Sequence, residues 1–428
     1  MRKAVILLSV ILIAYSCKVG KNYKGSEIVV PETYRFSEEG DSIPEEFLVK
    51  TDTLVTDSLI DYDWFSLFGD PVLDSLVVLA LEKNQNLAIA AENIVQAKYG
   101  LVVQRSAMLP QVGYEAGAQR GNFQQGVPIQ GERNIFYGFG FVNWELDFWG
   151  KFRRLNEAAR ADIVQSEQGY RATELSLIST VAALYFQLLE YRAQVEISEE
   201  TIALRDSMLS IIELRFDKGI IPEIDVNQAQ IQLAIAEGQL PFWQRQLAQT
   251  ENRLSVLTGR NPREIAVGVP LESQDASIDI PEGLPLSILT RRPDVLVAEQ
   301  ELIAQNALVG VAQANRLPSI SLSGLLGVGG SSLSNLGSGG PLWSIGGSML
   351  GPLFYFNRFK RLADIEKSRR DQAQLAFELA VLEAYNEVED ILIAIETLQE
   401  ELVARGAHVK AALNAQTLSQ ERYNQGVT

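Results

Sequence analysis

A chain of 428 residues with one His, one Cys and a net charge of −17 is poor in the side chains that enzyme sites use. General acid–base and zinc chemistry draw on His, or on Cys and His in clusters, so no enzyme, metal site or cofactor is expected. The acidic balance also argues against a nucleic-acid partner, which needs a basic stripe.

The chain opens on a targeting pattern. Arg2-Lys3 supplies positive charge, Ala4 to Tyr15 an apolar core, and Ser16-Cys17 a cleavage zone. Residues 1–16 are expected to be a signal peptide. Cys17, the single Cys, follows the apolar core directly. It is expected to become the lipidated, palmitate-bearing first residue of a lipoprotein. The position resembles the bacterial lipobox, although Ala14 stands where Leu is usual. The other reading of Cys17 is a stray buried thiol. One lipidated Cys gives membrane attachment, and other features must say which membrane. Residues 17–62 are polar with scattered Pro, Gly and Ser, and read as an extended anchor segment along the outside of the body. Past the N-terminus no stretch reaches the ~20 apolar residues of a membrane helix.

Asp63 to Pro71 opens the folded part, with Asp70 as an N-cap and Pro71 at the first helical position. Leu73, Leu76, Val77, Ala80 and Leu81 then mark one apolar helical face. Asn84 to Asn86 interrupts it, and a second helix runs to Leu109, where Pro110 stops it. Two strands follow, at about 110–120 and 134–148, with a polar, Gly-rich link between them. Val112, Tyr114, Ala116 and Ala118 share one face of the first; Ile135, Tyr137, Phe139 and Phe141 share one face of the second. A bulky apolar face opposite a small or polar one, over ~10 residues, is the pattern of a membrane-barrel strand. A soluble antiparallel sheet with one buried face alternates similarly.

Lys151 to Arg215 contains no Pro and only Gly169, which allows a helix on the order of 100 Å long. Its Leu177, Val181, Leu184 and Leu188 call for coiled-coil packing. Gly219 ends it in a tight turn through Ile220-Ile221, and Pro222-Glu223 starts a return helix to Leu257. The hairpin has an apolar tip.

The pattern then recurs. Asp294 reads as the cap of a helix that Pro293 keeps from starting earlier. That helix runs from Val295 to Asn315 with only Gly310 against it, Pro318 stops it, and strands follow at about 318–328 and 341–354. Pro110 and Pro318 stand about 208 residues apart. Lys151 to Leu155 echoes Arg358 to Leu362, and Arg215 to Ile220 echoes Arg422 to Val427, each about 207 residues on. The chain therefore divides into a first repeat over 63–259, a linker over 260–284 and a second repeat over 285–428. The second repeat stops at its tip, so the sequence is expected to be a fragment there.

Four strands do not close a barrel, which needs about eight, and open strand edges are not tolerated in lipid. The fold class is thus mainly α with membrane β-barrel strands: two repeats, a long coiled-coil tunnel, and four strands per chain contributing to a barrel shared between chains.

The segments DWFSLFGDPVLDSLVVLALEKNQNL, VNWELDFWGKFRR, LRFDKGIIPEIDVNQAQ, LPLSILTRRPDVLVAEQELIAQNALVGVAQANRLPSISLSG and LFYFNRFKR resemble the outer-membrane efflux proteins of the TolC/OprM kind, with the lipid-anchored NodT-type branch most similar. The resemblance covers Tyr62 to Thr428. It implies a homotrimer with one shared outer-membrane barrel and a periplasmic helical tunnel. The trimer would be the exit duct of a tripartite efflux or type I secretion system in a Gram-negative bacterium. It also implies a periplasmic adaptor (membrane fusion) protein and an inner-membrane pump of RND or ABC type as partners. The tips that meet the adaptor correspond to Arg215, Gly219, Ile220 and Ile221, and to Gly426 and Val427. Gating residues would lie beyond Thr428.

Two readings of Arg291-Arg292-Pro293-Asp294 stand: a charged ligand site, or a helix start with structural ion pairs. The acidic balance is either a solvated face or a negative lumen that favours cationic solutes. The alternative function is a coiled-coil envelope lipoprotein that bridges membranes without a channel. Aromatic strand hairpins separate the two, since a bridge needs none.

Overall fold

The computed structural model describes residues 18–25, 64–124, 127–274 and 291–424. They fall into two compact units. Residues 18–25, 97–165 and 291–424 belong to unit 1, and residues 64–96 and 166–274 to unit 2.

In unit 2, the 3-10 turn Trp64–Phe68 leads into helix α1 (Pro71–Lys83). Asp70 caps it, its Oδ1 accepting from the Val72 amide at 2.9 Å, and Pro71 occupies the first turn, where a missing N–H costs nothing. Asn84 breaks the helical path with extended backbone and restarts it. Its Oδ1 accepts from the amides of Asn86 (2.9 Å) and Leu87 (3.1 Å) at the head of α2 (Gln85–Ser106). Helix α3 (Lys151–Asp217) runs for 67 residues, and α4 (Glu223–Leu257) returns. α4 passes through Pro241, which removes one backbone hydrogen bond without ending the helix.

The core of this unit joins Leu73, Leu76, Val77 and Ala80 of α1 to Ile178, Val181, Tyr185 and Leu188 of α3, with Leu254 of α4 and Ile265. Each large side chain so buried contributes roughly 1.5–3 kcal/mol before the entropy of ordering is subtracted. The stretch after α4, polar in composition, is tied into this core. Asp70 is fully buried, and its Oδ2 accepts from Tyr185 Oη (2.7 Å), the Val269 amide (3.0 Å) and Gln274 Nε2 (3.0 Å). Burial pushes the Asp70 carboxyl up, but these donors and the Val72 amide outweigh it and hold the group below the usual carboxylate range. Burial and the hydrogen bond to Asp70 push the Tyr185 phenol up.

Unit 1 carries an antiparallel sheet in the order β1 (Gln111–Gln124), β2 (Val127–Leu146), β3 (Ser319–Gly330), β4 (Leu342–Leu350). The hairpin strands are longer than side-chain alternation outlines. Residues from Gly121 onward, read as a link, pair across β1 and β2 through a register shift between Gly121 and Phe123. Backbone ladders need no particular side chain, so a Gly-rich, polar stretch hides a strand.

Helix α5 (Pro293–Ala314) precedes β3, and α6 (Arg358–Asn424) follows β4 for 67 residues. Val295 and Leu302 of α5 pack on Ala373, Phe377, Val381 and Ala384 of α6. Ala304 and Ala307 meet Ala158 and Ala161 of α3, small residues that let the helices approach closely. Two details differ from expectation. Asp294 is not the cap residue: Pro293 already stands in the first turn, Arg292 precedes it, and Asp294 takes the Val295 amide at 3.0 Å from inside the helix. Gly310 is no weak point either. It is buried, and a β-carbon there would fall 2.9 Å from Arg154 Cδ. Windows in α3 and α5 are, by length and composition, apolar enough to cross a membrane, which was not expected; 39% of each is buried in the protein.

Candidate functional site

The strand register decides which side chains share a face of the sheet. Tyr137 stands opposite Gly117 and Gly329, Phe139 opposite Glu115 and Gly327, and Phe141 opposite Gly113 and Leu325. Directly opposed residues point the same way. The aromatic row of β2 therefore shares its face with Gln111, Glu115, Gln119, Asn143, Ser321, Ser323, Ser344 and Ser348, and with Leu325, Leu342 and Leu350. The other face collects Val112, Tyr114, Val142, Trp144, Leu322, Leu326, Trp343, Ile345 and Met349. Tyr114, Trp343 and Ile345 are 89%, 71% and 85% exposed on it. This corrects the pattern drawn from each strand alone. The Val112 row and the Phe139 row are both apolar, yet they lie on opposite faces. Alternation gives a strand two faces, and only the pairing register says which faces match across a hairpin. The apolar face fits hydrocarbon; the mixed face, with its carboxylates, amides and hydroxyls, does not.

Where helices give way to strands, indole groups fix the joints. Trp144 Nε1 donates to the Met108 carbonyl at 2.9 Å, between α2 and β1. Trp149 Nε1 donates to the Pro318 carbonyl at 2.7 Å, linking the start of α3 to the start of β3. Asp147 accepts from the amides of Phe152 (2.9 Å) and Arg153 (3.0 Å) and from Arg153 Nε (3.1 Å), which caps α3. Arg154 is 1% exposed. It holds the N-terminal strap, donating to the carbonyls of Val19 (3.1 Å) and Gly20 (2.5 Å) and pairing with Glu157 at 2.9 Å. Further along, Asn306 donates to the Lys21 carbonyl at 3.1 Å and Tyr23 to Glu299 at 3.3 Å. None of these positions stands out by composition. The one signal is VNWELDFWGKFRR itself, two carboxylates and two Trp just ahead of a long helix.

The tip has a defined geometry. The amide of Gly219 bonds to the Phe216 carbonyl at 2.7 Å and that of Ile220 to the Arg215 carbonyl at 3.0 Å, with Gly219 at φ 72°. This is the paired bonding of a Schellman end, which needs the left-handed residue that glycine supplies. It brings Arg215, Gly219, Ile220 and Ile221 together, with Ile220 66% exposed. Cys17, Gly426 and Val427 lie outside the described residues.

Arg292 bonds to Asp294 at 2.7 Å and to Glu387 on α6 at 2.6 Å, so the structural reading of that block holds. Hydrogen bonding to Asp294 raises the guanidinium further.

Among the described residues the sheet has two unpaired edges and one hydrocarbon-type face, with long helices before and after it in the chain, which is the make-up of a membrane-spanning channel subunit. The comparisons carry this to a family. Residues 76–260 and 284–428 match the model of the outer membrane efflux protein family, and the chain belongs to it. The solvent efflux pump outer membrane protein SrpC of Pseudomonas putida is 32% identical over 365 residues, 84% of this chain and 77% of that protein. Among solved structures, the open state of the Neisseria gonorrhoeae MtrE outer membrane channel matches with a TM-score of 0.81 at 27% identity, covering 96% of this chain and 89% of that one. The Campylobacter jejuni CmeC outer membrane channel matches with a TM-score of 0.81 at 25% identity, covering 96% and 87%.

Proposed function

We propose that three copies of this chain form the outer-membrane duct of a tripartite efflux or secretion system. Among the described residues β1 and β4 are the free edges of the sheet, and in hydrocarbon each must pair. The β1 edge of one copy meeting the β4 edge of the next closes a ring of three sheets. The exposed apolar face then meets lipid and the mixed face lines a lumen, and this two-faced open sheet is the observation that carries the reading. Cys17 holds the chain to the membrane through its lipid. The tip at Arg215, Gly219, Ile220 and Ile221, with Gly426 and Val427, docks to a periplasmic adaptor that leads to an inner-membrane pump of RND or ABC type. An exposed isoleucine at a helical turn supports that docking role.

Planar-bilayer recording, with gel migration before and after heating, tests the duct. The expected result is a heat-dissociable trimer with steady conductance. A protein that stays monomeric and conducts nothing would leave the bridging lipoprotein as the better reading. The tip has its own test. Ile220→Asp is expected to cut adaptor capture about tenfold while conductance stays unchanged.

A further inference from the structure

We infer that Tyr137, Phe139 and Phe141, beside Glu115, form a stacking site for planar aromatic cations on the inner wall of the barrel. The site rests on the duct reading above, which makes the mixed face of the sheet the lumen wall. That face should be wet, and hydrocarbon packing explains the other face only. Three rings in successive inward positions of one strand therefore need a different account. They do not join the buried clusters of the described residues, and each is only half-buried.

The wall is shaped to lay the rings down. A β-carbon at Gly117 would fall 2.6 Å from Tyr137 Cζ, and one at Gly113 would fall 2.5 Å from Phe141 Cζ. Both rings thus lie over the glycines of β1 instead of standing into the lumen. On the β3 side, Gly327 leaves room for a close approach to the Phe139 Cβ and the Gly138 carbonyl, not to the ring. Tyr137 and Phe139 stack with centroids 5.4 Å apart and planes 19° apart. Glu115 stands opposite Phe139 and accepts from Tyr137 Oη at 3.0 Å. A flat aromatic surface with a carboxylate at its edge selects a solute that is flat, aromatic and positive. Ring faces attract cations and stack on other π systems, and the carboxylate supplies the complementary charge.

The test records current through the full chain in a planar bilayer while ethidium or tetrapropylammonium is added. Both carry one positive charge, and only ethidium is planar and aromatic. Ethidium is expected to block at a concentration about tenfold lower. Replacing the rings with leucines (Tyr137→Leu with Phe139→Leu) is expected to erase that preference and keep the conductance, and Glu115→Gln to weaken the ethidium block about threefold. Equal block by the two cations in the unaltered protein overturns the site without any variant. So does a preference that survives both leucines. A chain that conducts nothing overturns the duct reading itself, and the site with it.

Discussion

The two repeats build the same passage from helix to strand and back, and hold it with different chemistry. Their entry helices, α2 and α5, have 22 residues each, and their exit helices, α3 and α6, have 67 each. At the first exit Asp147 caps α3, Gly150 turns the chain at φ 79°, and Arg154 is buried under the N-terminal strap. About 207 residues on, the corresponding positions are Phe354, Asn357 and Arg361. There Phe354 and Phe356 are 75% and 85% exposed, Asn357 turns the chain at φ 64°, and the Arg361 side chain is 72% exposed. One backbone path thus admits a polar, self-contained solution and an aromatic one whose rings stay exposed. Topology is repeated; burial is not.

The largest expected break in this comparison is at the paired arginines. Arg154→Ala removes the partner of two carbonyls and of Glu157 in a buried place, which costs about 3–5 kcal/mol. Arg361→Ala removes an exposed ion pair and costs under about 0.5 kcal/mol. Denaturant midpoints of the two variants measure the gap. Trypsin cutting at Lys18, Lys21 and Lys24 reports the strap, and should quicken for Arg154→Ala alone. Equal midpoints and equal cutting would remove the asymmetry.

How much of this was legible in the sequence follows from the range of each signal. Asp70-Pro71, the Asn84 break, the proline stops and Gly219 all act on their own neighbours within a few residues, so pattern reading reaches them. The echo at Pro110 and Pro318 is long-range but literal, and counting finds it. Three features escaped because they depend on pairs of distant residues. The side of the sheet taken by Phe139 depends on its partners Glu115 and Gly327. The fate of Asp70 depends on Tyr185, within the long helix α3, and on Val269 and Gln274, which lie beyond it. Gly310 looked like a weakness in α5 because the stem of Arg154, which needs the space, is far away in the chain. Of the candidate site, the tip was legible as a turn, and the ring-and-carboxylate wall was not legible as a wall.

A middle-sized effect separates Gly150 from Asn357, both left-handed. Asn tolerates positive φ better than other residues with a β-carbon, so Asn357→Gly should change stability by no more than a few tenths of a kcal/mol, about 0.3. Gly150→Asn carries the same conformational change in reverse, but a β-carbon there would lie 3.2 Å from Lys18 Cα and 3.1 Å from its Cγ. The strap must give way, and a cost of about 1–2 kcal/mol is expected. The midpoint shift of Gly150→Asn should exceed that of Asn357→Gly and should bring faster trypsin cutting. If both variants behave alike, the strap does not press on this turn.

The smallest effect lies at the heads of the entry helices, Asn84 for α2 and Arg292 for α5, again about 208 residues apart. Asn84 is buried, caps two amides and donates to the Leu257 carbonyl at 3.0 Å, so Asn84→Ala should cost about 1–2 kcal/mol. Arg292 makes partly exposed pairs with Asp294 and Glu387, and Arg292→Gln should cost about 0.5–1 kcal/mol. Acid separates the two by mechanism. Burial pushes the Asp294 carboxyl up, but the hydrogen bond and charge of Arg292 outweigh it and hold the group below its ordinary value of 3.8. A depressed carboxylate adds stability that is complete above the ordinary value and fades as pH falls through the folded one. The Asp294 share of the Arg292→Gln penalty should therefore shrink in acid below about pH 3.8, while the penalty of Asn84→Ala, with no titrating partner, should hold steady. Denaturant midpoints of both variants at neutral pH and in this acid window measure the two trends. An Arg292→Gln penalty that stayed level through the acid window would mean that Asp294 contributes nothing to the clamp.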